Sequence, residues 1–196
     1  MDRSAFLVLH YQNSVAHPRG CWGKNLHPQI AKNDSYENAL SALASARSAG
    51  MPIIYVNVAF RPGAPELPDK LYGIVETARS FDDCLIGSWG AQPIDELAPK
   101  GGDIQIINYS SDAFQGTELD QVLRARDIRM LFLIGQVIEH VVGTSMKRAA
   151  NSGYSPVLLA DCVGGYSDET REAMLDILSS YGRISDSQEF AKELSR

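Results

Sequence analysis

The chain has 196 residues, 44% of them hydrophobic and 21% charged, with a formal net charge of −6. These proportions are ordinary for a folded domain and exclude intrinsic disorder, collagen and coiled coil as the main architecture. The excess of 24 acidic over 18 basic side chains argues against nucleic acid as a partner, and the densest basic cluster, Arg124, Arg126 and Arg129, is interrupted by Asp127.

Taken in order, short apolar runs alternate with helical patterns. Residues 5–10 (AFLVLH) read as a buried strand. Asn33, Asp34 and Ser35 can cap a helix reaching about Ala49, with Ala39, Leu40, Leu43 and Ala46 on one stripe and Gly50 as its stop. Residues 52–60 (PIIYVNVAF) form a second strand. The stretch 61–101 holds five prolines and five glycines and reads either as a binding loop or as a surface meander. Residues 103–109 are a third strand, and Thr117 caps a helix with an acidic first turn. Residues 129–135 are a fourth strand, followed by a helix over 141–152 that Gly153 ends. Residues 155–163 make a fifth strand, and Ser167 opens a helix to about Tyr181. A short sixth strand at 183–187 and a terminal helix at 187–194 complete the chain.

Continuous apolar runs belong to a parallel sheet covered on both faces. The expected fold is therefore α/β, a three-layer sandwich around a mostly parallel six-stranded sheet with right-handed crossovers. At ~100–200 residues per domain, residues 1–196 form a single domain. No run reaches the ~18 apolar residues of a membrane span, and the first residues lack a leader's cleavage pattern. The expected setting is cytoplasmic, without a membrane partner. Cys21, Cys84 and Cys162 are an odd, scattered set that suits a reducing compartment better than a disulfide framework.

Ligands of open α/β sheets sit at the carboxyl ends of the strands, near a switch point. The residues to inspect are thus 10–13, 60–63, 108–114 and 136–142. The phosphate-binding patterns GxGxxG and GxxxxGK[ST] and the nucleophile elbow GxSxG do not occur. The four histidines form no HxH or HxxxH pair, so zinc is unsupported. His17 and His27 fall in the loop after the first strand and read as solvated. His10 ends the first strand, where its ordinary pKa near 6.5 suits a general acid or base; the structural alternative is a ring bonded to a neighbouring carbonyl. Glu139 and His140 lie at a strand–helix junction whose free N–H groups can hold an anion; the alternative is a polar helix start facing solvent. Arg61 either holds a substrate carboxylate or is an exposed loop arginine. Cys162 reads as a small buried residue.

Several blocks resemble one family. They are AFLVLHYQNSV, ARSAGMPIIYVNVAFRPG, NYSSDAFQGTELDQVLRARDIRMLFLIGQ and RAANSGYSPVLLADCVGGYSDE, which span nearly the whole chain. The chain resembles the isochorismatase-like (cysteine hydrolase) superfamily, which includes nicotinamidases, N-carbamoylsarcosine amidohydrolases and isochorismatases. The resemblance implies that family amidases use an Asp as proton carrier, a Lys that stabilises charge, a Cys nucleophile and backbone N–H groups that hold the oxyanion. Residue by residue, the Asp falls on His10, the Lys on Asn108 and the Cys on Val141. It also places a cis peptide near Val137–Ile138. Metal-binding nicotinamidases carry an Asp-x-His after the second strand; 58–63 lacks it, so no metal is expected, nor any cofactor. The resemblance further implies a homo-oligomer, a dimer or tetramer.

Valine has no nucleophilic atom, so amide hydrolysis through a thioester at Val141 is excluded. The isochorismatases of the family also lack the Cys and rely on the Asp, which is His10 here. Losing Asp and Lys together avoids an unpaired buried charge, and histidine and asparagine can bond each other. One reading is an enzyme acting on a small organic metabolite by hydrolysis or by proton transfer, as in elimination, isomerisation or cyclisation. His10 would be the acid or base, Asn108 and the N–H groups of 138–141 would polarise an oxygen, and Glu139 or Asp112 would orient His10 or its substrate. Tyr11, Gln12, Asn13, Arg61, Tyr109, Asp112, Phe114, Val137, Ile138, His140 and Val141 would line the site. Such a rate would have a pH limb within a unit or two of pH ~6.5. A second reading is a non-catalytic protein that binds a ligand or a protein partner. A third is a displaced nucleophile at Ser110, Ser111, Thr144 or Ser145.

Overall fold

Six apolar runs become six strands: β1 (Ser4–Leu9), β2 (Ile53–Val58), β3 (Ile104–Asn108), β4 (Met130–Gly135), β5 (Ser155–Val163) and β6 (Arg183–Ser185). The computed structural model describes residues 3–70, 73–78 and 82–195. The strand order is β3-β2-β1-β4-β5-β6, and every pairing is parallel. Central strands buried on both faces need no alternation in sequence, and β1 and β2 are buried at every position.

The pleat divides the core into two layers. Phe6 and Val8 of β1 face one layer together with Tyr55, Phe132, Leu43 and Phe190. Ala5, Leu7 and Leu9 face the other with Val56, Leu133, Val142 and Met146. Helices α2 (Gly23–Lys32), α3 (Ser35–Ser48) and α8 (Ser187–Leu194) cover the first face. The second is covered by α5 (Leu119–Ala125), α6 (Gly143–Asn151) and α7 (Asp168–Ser179). The short helices α1 (Asn13–Ala16) and α4 (Ile74–Ala78) lie near the carboxyl ends of the strands, where they border the pocket described below.

The helix ends follow local chemistry. Ser167 and Thr170 form a reciprocal capping box at α7, and the Asp186 side chain accepts from Glu189 N at 2.7 Å at α8. That cap stops β6 at Ser185, two residues short of expectation. Asp34 is the N-cap of α3 but sits in the left-handed region (φ 49°) without a side-chain cap bond. Glu118 is the backbone N-cap of α5, while Thr117 Oγ1 donates to Ala113 O at 2.7 Å and accepts from Leu119 N, the first helical residue, at 3.3 Å. The clearest difference is α2. Pro28 hides it in the sequence, yet Leu26 and Ile30 bury one of its faces. His27 therefore stands on a helix, with Nδ1 3.1 Å from Ala16 O, rather than in a loop.

The stretch 61–101 is neither a free lid nor a loose meander where it is described. Phe60 N donates to Cys84 O and Ile86 N to Phe60 O, both at 2.8 Å, and Gln12 bridges to Pro93. Asp82–Cys84 and Asp95–Leu97 are short 3-10 turns. Leu71, Tyr72, Arg79, Ser80 and Phe81 of this stretch lie outside the described residues. No helix among the described residues is long and apolar enough to cross a membrane.

Candidate active site

The strand order reverses between β1 and β4, which marks the switch point of an open parallel sheet. Leu9 and Gly135 are paired there, so the next residues, His10 and Gln136, stand side by side across the crevice. Only glycine fits at 135, because a Cβ would overlap Leu9 O and lie 2.9 Å from Val142 Cγ2. His10 leaves the strand in the left-handed region (φ 51°), which histidine tolerates better than most residues. Its N–H stays paired, donating to Val56 O at 2.9 Å.

His10 Nε2 lies 2.9 Å from Asn108 Oδ1. The orientation of the Asn108 amide follows from its other bonds: Nδ2 donates to Ser110 O at 2.7 Å and to Asp112 O at 3.3 Å. Oδ1 must therefore face the imidazole, and an acceptor there requires a proton on Nε2. The ring is buried, and burial pushes its pKa down to about 4, with the Asn108 bond partly opposing that and His140 adding to it. At neutral pH His10 is thus a neutral imidazole with its lone pair on Nδ1. Among the described residues nothing donates to Nδ1.

His10 lines a pocket with Val15, Trp22, Leu26, Val58, Phe60, Ile74, Tyr109, Ser110, Ser111, Gln136, Val137 and His140. The centre of a water molecule can reach ≈ 60 Å³ of it, room for a small molecule. Most of the walls are apolar. His140 Nε2 lies 2.9 Å from Tyr166 Oη, and burial pushes its pKa down while Glu139 pulls it back.

Tyr109, Val137 and His140 stand with His10 on the pocket wall, as do Ser110 and Ser111 of the third reading, whereas the remaining candidates do not line it. Tyr11 is fully buried, its Oη 3.0 Å from both Ser35 O and Cys162 O. Gln12 ties the chain together: Oε1 accepts from Val58 N at 2.7 Å, and Nε2 donates to Val58 O, Ser14 Oγ and Gly90 O. Asn13 Nδ2 donates to Trp89 O at 2.9 Å. The motif thus divides into one residue on the pocket wall, His10, and three whose side chains tie the chain together. Asp112 Oδ1 accepts from Phe114 N at 2.8 Å in a local turn, and Phe114 packs on Tyr154 in the core. Neither Asp112 nor Glu139 orients His10; Asn108 does.

Glu139 turns to the first turn of α7, whose free donors draw a carboxylate. Its Oε1 accepts from Tyr166 N at 2.8 Å and from Thr170 Oγ1 at 2.6 Å. Arg61 is an exposed arginine paired with Glu66. Ile138 and Val141 are fully buried in the core beneath the pocket. The expected oxyanion donors are partly spent, since Ile138 N donates to Gly164 O at 2.9 Å and His140 N to Val137 O at 3.1 Å. The cis peptide is Gln136–Val137, one bond earlier than expected, and a π-helical turn follows over Ile138–Val142.

Of the other hydroxyls, Ser145 Oγ accepts from Ala113 N at 3.0 Å and is buried, while Ser110 Oγ is engaged with Asp112 N and O. Among the described residues no three His, Cys, Asp or Glu side chains gather as a metal site. Sequence reasoning missed Val15, Trp22 and Leu26, because α1 and α2 were not foreseen. Phe60 and Gln136 carried a signal, since each follows a strand end.

A family model described as the isochorismatase domain matches residues 4–189. The ureidoacrylate amidohydrolase RutB of Cronobacter sakazakii is 29% identical, with 99% of this chain and 89% of that protein covered. Among solved structures, a cysteine hydrolase from Pseudomonas syringae pv. phaseolicola superposes with a TM-score of 0.85 at 20% identity, covering 98% of this chain and 92% of that one. N-carbamoylsarcosine amidase from Thermoplasma acidophilum gives 0.76 at 24% identity, covering 95% and 97%.

Proposed function

The chain belongs to the isochorismatase family, and from that premise we propose that it moves a proton on a small organic metabolite, with His10 Nδ1 as the base. The observation that carries this reading is the bond between His10 Nε2 and Asn108 Oδ1, which fixes the tautomer and leaves Nδ1 as the available lone pair. RutB-type relatives bear the name of amidohydrolases, and hydrolysis is the broad activity that membership suggests. The route differs from a thiol mechanism, because the position that the resemblance gives to the nucleophile is Val141. The base takes a proton from water in a hydrolysis, or from an O–H, N–H or activated C–H of the metabolite in an elimination, isomerisation or cyclisation.

Burial makes the imidazolium more acidic than usual, with a pKa of about 4. A proton taken by His10 is therefore readily returned, which suits a reaction that removes and replaces a proton within one turnover. The pH limb of such a rate lies near 4 rather than near 6.5. The same low basicity favours a second reading, in which the pocket holds a ligand by Nδ1 without turning it over.

The deciding experiment is product formation by mass spectrometry. Purified protein and its His10→Gln variant meet a panel of amides, vinyl ethers and carbonyl metabolites. Turnover that the variant loses, with an acid limb near pH 4, is the expected result. Equal turnover in both proteins would remove His10 from the chemistry. Saturable binding without product by either would favour the second reading.

A further inference from the structure

We propose that this pocket selects an uncharged ligand that offers a hydrogen-bond donor to His10, and that it rejects both the anionic and the cationic analogue. The inference rests on the reading of His10 Nδ1 as a neutral acceptor and deepens it by naming the class of compound. Trp22, Val58, Phe60 and Val137 supply apolar walls, and no Asp, Glu, Lys or Arg is among the described residues that line them.

An anion entering this space leaves water with no Lys or Arg among the described lining residues, and the guanidinium felt at Tyr109, that of Arg61, is exposed and already paired with Glu66. Asn108 stands where the family resemblance places a lysine, and its amide hydrogens are already committed to Ser110 O and Asp112 O. The neighbouring fixed charge is of the wrong sign. Glu139 adjoins His140, holds its carboxylate on Tyr166 N and Thr170 Oγ1, and is felt at the His140 ring. The Glu139 charge favours a cation, yet the His140 pKa is lowered beside it, so burial outweighs that attraction. His10 and His140 are themselves cation-forming groups on this surface, and burial holds both in the neutral form. What remains favourable is a neutral group with an N–H or O–H for Nδ1 and an apolar body for the aromatic walls. An acrylate, the anion in the name of the RutB relatives' substrate, falls in the rejected class.

The test uses equilibrium binding and needs no substrate. The chain has two tryptophans, Trp22 and Trp89. Trp22 lines the pocket, so a Trp89→Phe background makes its emission the sole indole reporter. Benzamide, benzoate and benzylammonium are titrated at pH 7.5. Benzamide is expected to bind at least about tenfold more tightly than either ion. An ion that binds as tightly as benzamide overturns the proposal, as does the absence of saturable quenching by benzamide. Ser111→Arg in the same background puts a guanidinium on the wall and is expected to raise benzoate to at least the affinity of benzamide; an unchanged ranking would overturn the electrostatic account. Because binding is read without turnover, a His10→Gln variant that keeps its activity defeats the proposed base but leaves this ranking intact.

Discussion

Asn108 Oδ1 reaches His10 Nε2 from the end of β3, passing the end of β2 that lies between their strands. Two neutral groups thus meet where the family resemblance places an acid and a lysine. Every polar atom of the Asn108 side chain is satisfied, and the other imidazole nitrogen accepts from no donor among the described residues. The pair explains how both charges could be lost together without leaving an unpaired ion in the interior.

Replacing Asn108 by Asp sets a carboxylate against the Nε2–H and stabilises the imidazolium. The pKa of His10 is expected to rise from about 4 by about one to three units. The acid limb of any His10-dependent rate moves up with it. Titration of the His10 ring by NMR measures the shift directly. Asn108→Ala leaves the buried Nε2–H without an acceptor and is expected to cost about 1–3 kcal/mol of stability, read from urea unfolding.

His10 also ties stability to pH. Its pKa is about 4 in the folded chain against an ordinary 6.5, so between these values the unfolded chain binds more protons. Stability therefore rises with pH across that window and is lost as pH falls from 6.5 towards 4. The His10 contribution amounts to roughly 3 kcal/mol over the full window. Carboxylates in ion pairs lose stability in acid as well, so the comparison is between wild type and His10→Gln. The variant is expected to show the shallower slope between pH 4.5 and 7, and equal slopes would place the effect elsewhere.

The sheet was legible because its signal is local. Runs such as FLVL and IIYVNV are apolar on both faces, and each became a central strand. The site was only partly legible. His10 and Asn108 follow from their positions at strand ends, but nothing local says that Gln12 turns inward to Val58 while His10 faces the pocket. That difference depends on the left-handed turn at His10 and on the return of 82–93 against β1 and β2. The α2 wall was hidden for another reason. Pro28 and Gly23 lower its helix propensity, and burial of Leu26 and Ile30 overrides them. The partners of Glu139 could not be read locally, because Tyr166, just before α7, and Thr170, in its first turn, lie 27 and 31 residues away.

The switch point has little slack beneath the pocket. Gln136 Oε1 accepts from Gly164 N at 3.0 Å, and a Cβ on Gly164 would overlap that oxygen and lie 3.1 Å from Ile30 Cγ1. Gly164→Ala must therefore push the Gln136 amide away and break the bond it makes. The expected cost is about 1–3 kcal/mol, seen as a lower urea midpoint with an unchanged slope. Binding of pocket ligands should weaken too, because Gln136 lines the cavity. A variant as stable as wild type would mean that the Gln136 side chain has room to rotate.

Val141 tests what a nucleophile would require here. Its side chain is fully buried in the core cluster with Val142 and Met146. Val141→Cys removes about one methyl group's volume and is expected to cost ~1 kcal/mol. A thiol becomes reactive when a nearby cation or a helix terminus favours its thiolate. Here His10 is neutral and the neutral Asn108 stands where the resemblance places a lysine, so the introduced thiol is expected to stay protonated and shielded. Native protein treated with iodoacetamide at pH 7.5 is expected to show no alkylation of residue 141 by peptide mapping, whereas urea-unfolded protein is labelled. Amide hydrolysis should likewise stay absent from the single variant. Rapid native alkylation would instead show that position 141 opens onto the pocket, and that restoring a thiol there is sufficient to activate it.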